Sequence, residues 1–143
     1  MLIGQYSGVI GAKRRVAIPK RFVQELGSEP IVAKWYEKCL VLVSKEKWSE
    51  LLNKVKGNNL LVTEPIRDID RFILGSAFEL EADIQGRVVI PEMLCQFAGI
   101  ASEVIFLGLG DRVEIWDKDV WREKQENILD QAHKALEEIA KNE

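Results

Sequence analysis

The stretch Arg15-Val16-Ala17-Ile18-Pro19 returns 72 positions later as Arg87-Val88-Val89-Ile90-Pro91. In each copy an apolar residue alternates with an outward one, the period of a half-buried strand. The proline that follows suits the first turn of a helix, where no amide donor is needed. At the same offset Ile10 to Gly27 lies over Ala82 to Gly99, with Gln24 on Gln96. Gly27 and Gly99 stand where a left-handed helix cap is wanted. A one-residue insertion near Ile100 to Ser102 raises the offset to 73, so that Leu40 to Val43 meets Val113 to Trp116 and Trp48 meets Trp121. The chain is therefore an internal duplication.

Each unit reads as an extended segment (Gln5 to Ile10; Phe78 to Ala82), a polar loop, a short strand, a short helix and two further strands. Those last strands are Ile31 to Trp35 with Leu40 to Val43, and Val104 to Leu107 with Val113 to Trp116; Gly108-Leu109-Gly110 reads as the turn of the second hairpin. Ser44 and Asp117 are good N-caps for the helix that ends each unit. The first of these helices is expected to run from Ser44 to Lys56 and stop at Gly57-Asn58-Asn59. The second carries Trp121, Ile128, Leu129, Ala132, Leu136 and Ile139 near helical spacing. Between the units, Thr63-Glu64-Pro65 opens another helix bearing Ile66, Ile69, Phe72 and Ile73. The expected fold class is α+β: two β units packed about a pseudo-two-fold, barrel-like core, each followed by a helix. The expected division is residues 5–47 and 78–120 for the units, 48–77 for the connecting helices and 121–143 for an acidic C-terminal helix. One such unit has too little core to fold alone, so the halves are expected to pack on each other and on further copies.

At 143 residues, 47% hydrophobic and 30% charged, the composition is that of a globular protein and excludes disordered and collagen-like classes. The N-terminus has no basic or long apolar stretch, so no signal peptide is expected, and the longest apolar run is too short to span a bilayer. Two isolated cysteines, Cys39 and Cys95, make neither a disulfide framework nor a metal site and point to a reducing cytoplasm. The net charge of −3, from 20 basic and 23 acidic residues, argues as a total against a nucleic-acid binder. Its distribution argues otherwise. Gly11 to Phe22 holds five bases (Lys13, Arg14, Arg15, Lys20, Arg21) and no acid, whereas Asp83 to Leu94 holds Arg87 against Asp83 and Glu92. From Asp111 onward there are ten acids and six bases. A loop-strand element of that composition can neutralise phosphates, and its arginines can reach guanine edges.

Other chemistry is weak. His133, the only histidine, sits on an acidic helix and reads as a surface residue. Glu79, Glu81 and Asp83 would share one strand face, and a metal-dependent hydrolase built on them is the least supported alternative. No residues have zinc-ligand spacing, no serine or cysteine has a histidine partner in a readable motif, and no cofactor, metal or catalytic group is expected.

The duplicated pattern, clearest in Asp83-Ile84-Gln85-Gly86-Arg87-Val88-Val89-Ile90-Pro91 followed by Glu114-Ile115-Trp116-Asp117, resembles the MraZ family of bacterial transcriptional regulators. The resemblance spans about Met1 to Trp121, with the family's central helix around Arg71 to Ala77. It implies two AbrB-like swapped-hairpin units (SpoVT-AbrB type) and a cytoplasmic, nucleoid-associated homo-oligomeric ring. That ring would present its first-unit loops to short direct repeats of double-stranded DNA upstream of the division and cell-wall gene cluster. Lys13, Arg14 and Arg15 would then make the principal DNA contacts and Lys20 and Arg21 would support them at phosphates, while Arg87 facing Asp83 would be an internal brace or an interface group rather than a DNA contact. The first unit departs from the family pattern, with Gly11 in place of the usual Asp and Arg14 in place of the usual Gly, which leaves Arg15 without an intramolecular acid. The competing reading is an AbrB-like antitoxin or protein-interaction module, whose acidic C-terminal helix grips a partner protein and whose DNA binding is secondary.

Overall fold

A computed structural model describes residues 1–57 and 62–142. The first unit contains β1 (Leu2–Val9), β2 (Arg15–Ala17), α1 (Lys20–Leu26), β3 (Ile31–Lys34) and β4 (Leu40–Val43). α2 (Trp48–Lys56) and α3 (Glu64–Ile73) follow. The second unit repeats the order as β5 (Phe78–Glu79), β6 (Arg87–Val89), α4 (Glu92–Ala98), β7 (Glu103–Gly110) and β8 (Val113–Asp117), and α5 (Lys118–Lys141) ends the described chain. The fold is α+β.

The units are interleaved rather than set side by side. Six strands form one antiparallel sheet in the order β1-β7-β8-β4-β3-β5, and β2 pairs with β6 in a separate two-stranded ribbon. Thus β1 of the first unit lies on β7 of the second, and β5 of the second lies on β3 of the first. The equivalent strands β4 and β8 meet at the centre, as do β2 and β6 in the ribbon. Exchanging the units reverses the sheet order onto itself, so the pairing has pseudo-two-fold symmetry.

The central strands of the sheet are buried on both faces, which is why Leu40-Val41-Leu42-Val43 is an unbroken apolar run. Leu40, Leu42, Val104, Phe106, Val113 and Ile115 face a core closed by the ribbon, α1 and α4. Val41, Val43, Ile105, Leu107 and Trp116 face a second core covered by Leu51 of α2, Ile73 of α3 and Trp121 of α5. The hydroxyl of Ser44 and the carboxylate of Asp117 accept N-cap bonds as expected, from Lys47 N and from the amides of Asp119 and Val120. A short 3-10 turn over Lys45–Lys47 separates Ser44 from α2, which therefore begins at Trp48. Gly57, at φ 69°, caps α2; Asn58 and Asn59 lie outside the described residues.

Three expectations need correction. Pro19 and Pro91 are not in the first helical turn but just before it, with ψ of 133° and 142°, because each still belongs to the extended chain leaving the ribbon. Gly99 is left-handed at φ 64°, ψ 29°, whereas Gly27 has φ 76° but an extended ψ of −176°. Gly108-Leu109-Gly110 is not the hairpin turn. It continues β7 and pairs with Gly4, Ile3 and Leu2 of β1, and the reversal falls at Asp111 and Arg112, where the Leu109 amide donates to the Arg112 carbonyl at 2.9 Å. The glycine at 108 is a packing requirement, since a Cβ there would sit 2.6 Å from the Ile3 nitrogen. Gly108→Ala is accordingly expected to destabilise the protein by about 1–3 kcal/mol through forced backbone displacement. Thermal denaturation followed by circular dichroism reads this, with Gly11→Ala, whose added Cβ would meet only the Arg15 carbonyl at 3.8 Å, as the mild control.

Candidate nucleic-acid interface

The ribbon carries the sequence-predicted site. Arg15 pairs with Val89, Val16 with Val88 and Ala17 with Arg87. Val16, Ile18, Val88 and Ile90 point into the core, so Arg15, Ala17, Arg87 and Val89 form the outer face. The loop before each strand closes in the same way: the Gly11 amide donates to the Arg15 carbonyl at 2.8 Å, and the Asp83 amide to the Arg87 carbonyl at 2.9 Å. Each loop also braces the other unit. The Ile90 amide donates to the Arg14 carbonyl at 2.9 Å, and the Ile18 amide to the Gly86 carbonyl at 3.0 Å.

The side chains of the two loops differ. In the second, Asp83 Oδ1 accepts from the amides of Gln85 and Arg87, both at 2.9 Å, and its Oδ2 accepts from Arg87 Nε at 2.9 Å. The Arg87 amide bond, joined by the guanidinium, holds the Asp83 carboxyl below its ordinary value of 3.8. Arg87 is thus an intramolecular brace. In the first loop Gly11 offers no carboxylate. Among the described residues Lys13, Arg15, Lys20 and Arg21 have no acid within 4.0 Å, and all four are exposed. Lys13 and Arg14 adopt left-handed backbone at φ 62° and 59°, where the second unit uses Gly86 at φ 78°. Arg14 Nε donates to the Ile90 carbonyl at 3.0 Å, which pins the guanidinium at the ribbon's end while the residue stays exposed.

The five bases do not form one cluster. Lys13, Arg14 and Arg15 gather where the first loop meets Ile90. Lys20 lies past the other end of β2, lining a groove with Val23, Ile84, Gln85 and Gly86. The three paired residues between them span ~10 Å. Arg21 lines a further groove with Tyr6 to Val9 along β1. Sequence reasoning missed Ile84, which stands fully exposed at 106% at the tip of the second loop. Its position inside the Asp-x-x-x-Arg loop, held open by the Asp83 bonds, is the signal that would have found it.

The remaining candidates supply no competing chemistry. Asp83 is engaged by Arg87, Glu79 lies 3.6 Å from Lys45, and among the described residues no three ligand-type side chains are grouped to hold a metal ion. His133 is exposed, with Nε2 3.0 Å from Glu137. Cys39 and Cys95 are buried, and burial pushes both thiols up, away from the reactive thiolate. No described helix is long and apolar enough to cross a membrane.

Comparison with known proteins gives one consistent family. A family model described as "MraZ protein, putative antitoxin-like" matches residues 73–142. A protein named "Transcriptional regulator MraZ" from Thermoanaerobacter sp. (strain X514) is 42% identical over 142 residues, covering 99% of this chain and 96% of its own. Relatives of the same name from Carboxydothermus hydrogenoformans and Bifidobacterium longum are 38% and 32% identical, covering 98% and 97% of this chain and 94% and 95% of their own.

The Asp83 brace has a pH signature. Because its folded pKa is depressed, the stabilisation it brings is present above the unfolded value and is lost as pH falls through the folded one. In an NMR titration the Asp83 carboxyl should titrate below 3.8. In Arg87→Gln, which keeps the amide bonds and removes the guanidinium, it should move part of the way back up; an unmoved titration would mean that the guanidinium contributes nothing.

Proposed function

The chain belongs to the MraZ family of transcriptional regulators, and on that premise we propose that it regulates transcription by binding double-stranded DNA through its first loop. The supporting observation is the contrast between two loops closed by the same backbone bond. In one, Arg87 is neutralised by Asp83; in the other, Arg15 and Lys13 are exposed without an acid among the described residues. Lys13, Arg14 and Arg15 make the principal contacts in this reading. Lys20, about 10 Å further along the ribbon, contacts a separate phosphate rather than the same one, and Arg21 adds to it. The operator is a set of short direct repeats upstream of the division and cell-wall gene cluster, and each unit is AbrB-like. A homo-oligomeric ring presents several first loops at once. One loop binds weakly, and linked copies raise the effective concentration of the next.

The antitoxin reading is favoured by the exposed aliphatic side chains of α5 and by the description of the family model that matches residues 73–142. It leaves the charge difference between the loops without a role, and the regulator reading is preferred for that reason.

Arg15→Glu is expected to weaken operator binding by roughly 10- to 100-fold, the 1–3 kcal/mol typical of a lost arginine contact or more. Its melting temperature should not change, because the residue is exposed. Gel-shift titration against DNA from upstream of the chain's own gene decides it, and unchanged affinity sinks the assignment. Log affinity should fall linearly with log salt at about −0.9 per phosphate contacted, and Lys20→Ala should reduce that slope by about one contact.

A further inference from the structure

At the 72-residue offset Ile84 and Gln85 of the second loop stand where the first loop has Ala12 and Lys13. The residues Asp83-Ile84-Gln85-Gly86 form a tight turn, closed by the Gly86 amide donating to the Asp83 carbonyl at 2.9 Å. Asp83 Oδ1 fixes it further by accepting from the Gln85 and Arg87 amides. Gly86 is buried beside Val23 of α1, and its carbonyl accepts from the Ile18 amide. The backbone is thus held from both sides, yet the two side chains at its tip hold nothing. Ile84 is fully exposed, and the Gln85 side-chain amide makes no hydrogen bond among the described residues. The brace between Asp83 and Arg87 depends on neither side chain.

The ribbon fixes what these side chains meet. Val16 pairs with Val88 at its centre, so the local two-fold passes there, and the second loop presents the same face of the ribbon as the first. Lys20, exposed and with no acid within 4.0 Å among the described residues, lines one groove with Ile84 and Gln85. A duplex bound at Lys13 to Arg15 and held at a phosphate by Lys20 therefore runs over Ile84 and Gln85. A two-stranded ribbon fits the major groove, where thymine shows a C5 methyl and adenine an N6–H donor beside the N7 acceptor. We infer that the second loop is a base-reading element, in which Ile84 packs on a thymine methyl and the Gln85 amide forks onto an adenine. Neither side chain carries charge, so the pair adds discrimination between sequences and leaves phosphate attraction to the first loop and Lys20. Their Cα atoms are about 3.8 Å apart, close to the rise of one base, so the two bases lie within a step or two of each other. The inference rests on the DNA reading and gives the braced loop a part in it.

Two measurements on the full chain test it, using a duplex from upstream of the chain's own gene and a duplex of the same length and shuffled sequence. In gel-shift titrations Gln85→Ala should reduce the ratio of the two affinities by roughly 5- to 100-fold, the range of one bidentate base contact. Ile84→Ala should reduce it by about fourfold or more. The salt slope should stay at the wild-type value in both, whereas Lys20→Ala lowers it. Both residues are exposed, and an unchanged melting temperature with an unchanged Asp83 titration shows that the turn and its brace are intact. The second measurement removes the methyl group from the DNA instead. With deoxyuridine replacing thymidine one position at a time, at least one position should weaken wild-type binding by about fourfold, the effect of one methyl group, and leave Ile84→Ala unaffected. An unchanged affinity ratio in either variant, or deoxyuridine acting alike on both chains at every position, would overturn the inference. If Arg15→Glu loses binding while these variants keep the ratio, the inference alone fails. A wild-type chain with no preference for the upstream duplex, or Arg15→Glu binding as tightly as wild type, overturns the DNA reading and the inference with it.

Discussion

The structure depends on one reciprocal exchange of backbone bonds: the Ile18 amide to Gly86 and the Ile90 amide to Arg14. Ile18 and Ile90 are core residues, so an unpaired amide at either would cost about 1–3 kcal/mol. The partner in each case belongs to the other unit, at the fourth position of its loop. Each loop is therefore tied to the other unit as well as closed within its own, and the sheet repeats the rule by laying β1 on β7 and β5 on β3. The loops that carry the candidate site are thus fixed by the core rather than suspended from it. That is the condition for presenting arginine side chains in a defined geometry.

Much of this is legible in the sequence. Alternation in Arg15 to Ile18 and Arg87 to Ile90 is a purely local signal, and it gave both ribbon strands with the correct inward residues. Ser44 and Asp117 announce their helices through capping chemistry, which acts over two or three residues. What could not be read was non-local. Gly108 to Gly110 carries the composition of a turn, and only the close approach of β1 shows that the glycines are there to admit a neighbouring backbone. Lys20 and Arg21 are close in sequence to Arg15, and the extended proline between them carries them beyond the end of the ribbon. The hydrophobic stripe of α5 follows from its helical periodicity, but periodicity does not say whether a face is covered by its own chain.

The electrostatics follow the same division. A net charge of −3 over the chain describes neither loop. What a phosphate meets is set within a few ångströms, because exposed charges further apart than about 8–10 Å are screened at physiological salt. On that scale the second loop's arginine is held by Asp83, whereas among the described residues Lys13, Arg14 and Arg15 have no acid within 4.0 Å. The surplus carboxylates are spread along α5 and elsewhere, and several are engaged in ion pairs of their own, such as Asp111 with Lys54 and Arg112. For Asp111 burial works to raise the carboxyl pKa, and those two cations outweigh it.

Arg14 sharpens the point. Its backbone sits at φ 59°, in the place that the second unit fills with Gly86, and a side chain there costs about 1–2 kcal/mol in local strain. The bond from its Nε to the Ile90 carbonyl contributes about 0.5–1.5 kcal/mol. The two magnitudes nearly cancel, so the fold gains little by having arginine rather than glycine at this position. The replacement changes the charge of the loop tip and the direction in which that charge is held. Stability is therefore a poor reason for the residue, and the loop's chemistry toward an anionic partner is a better one.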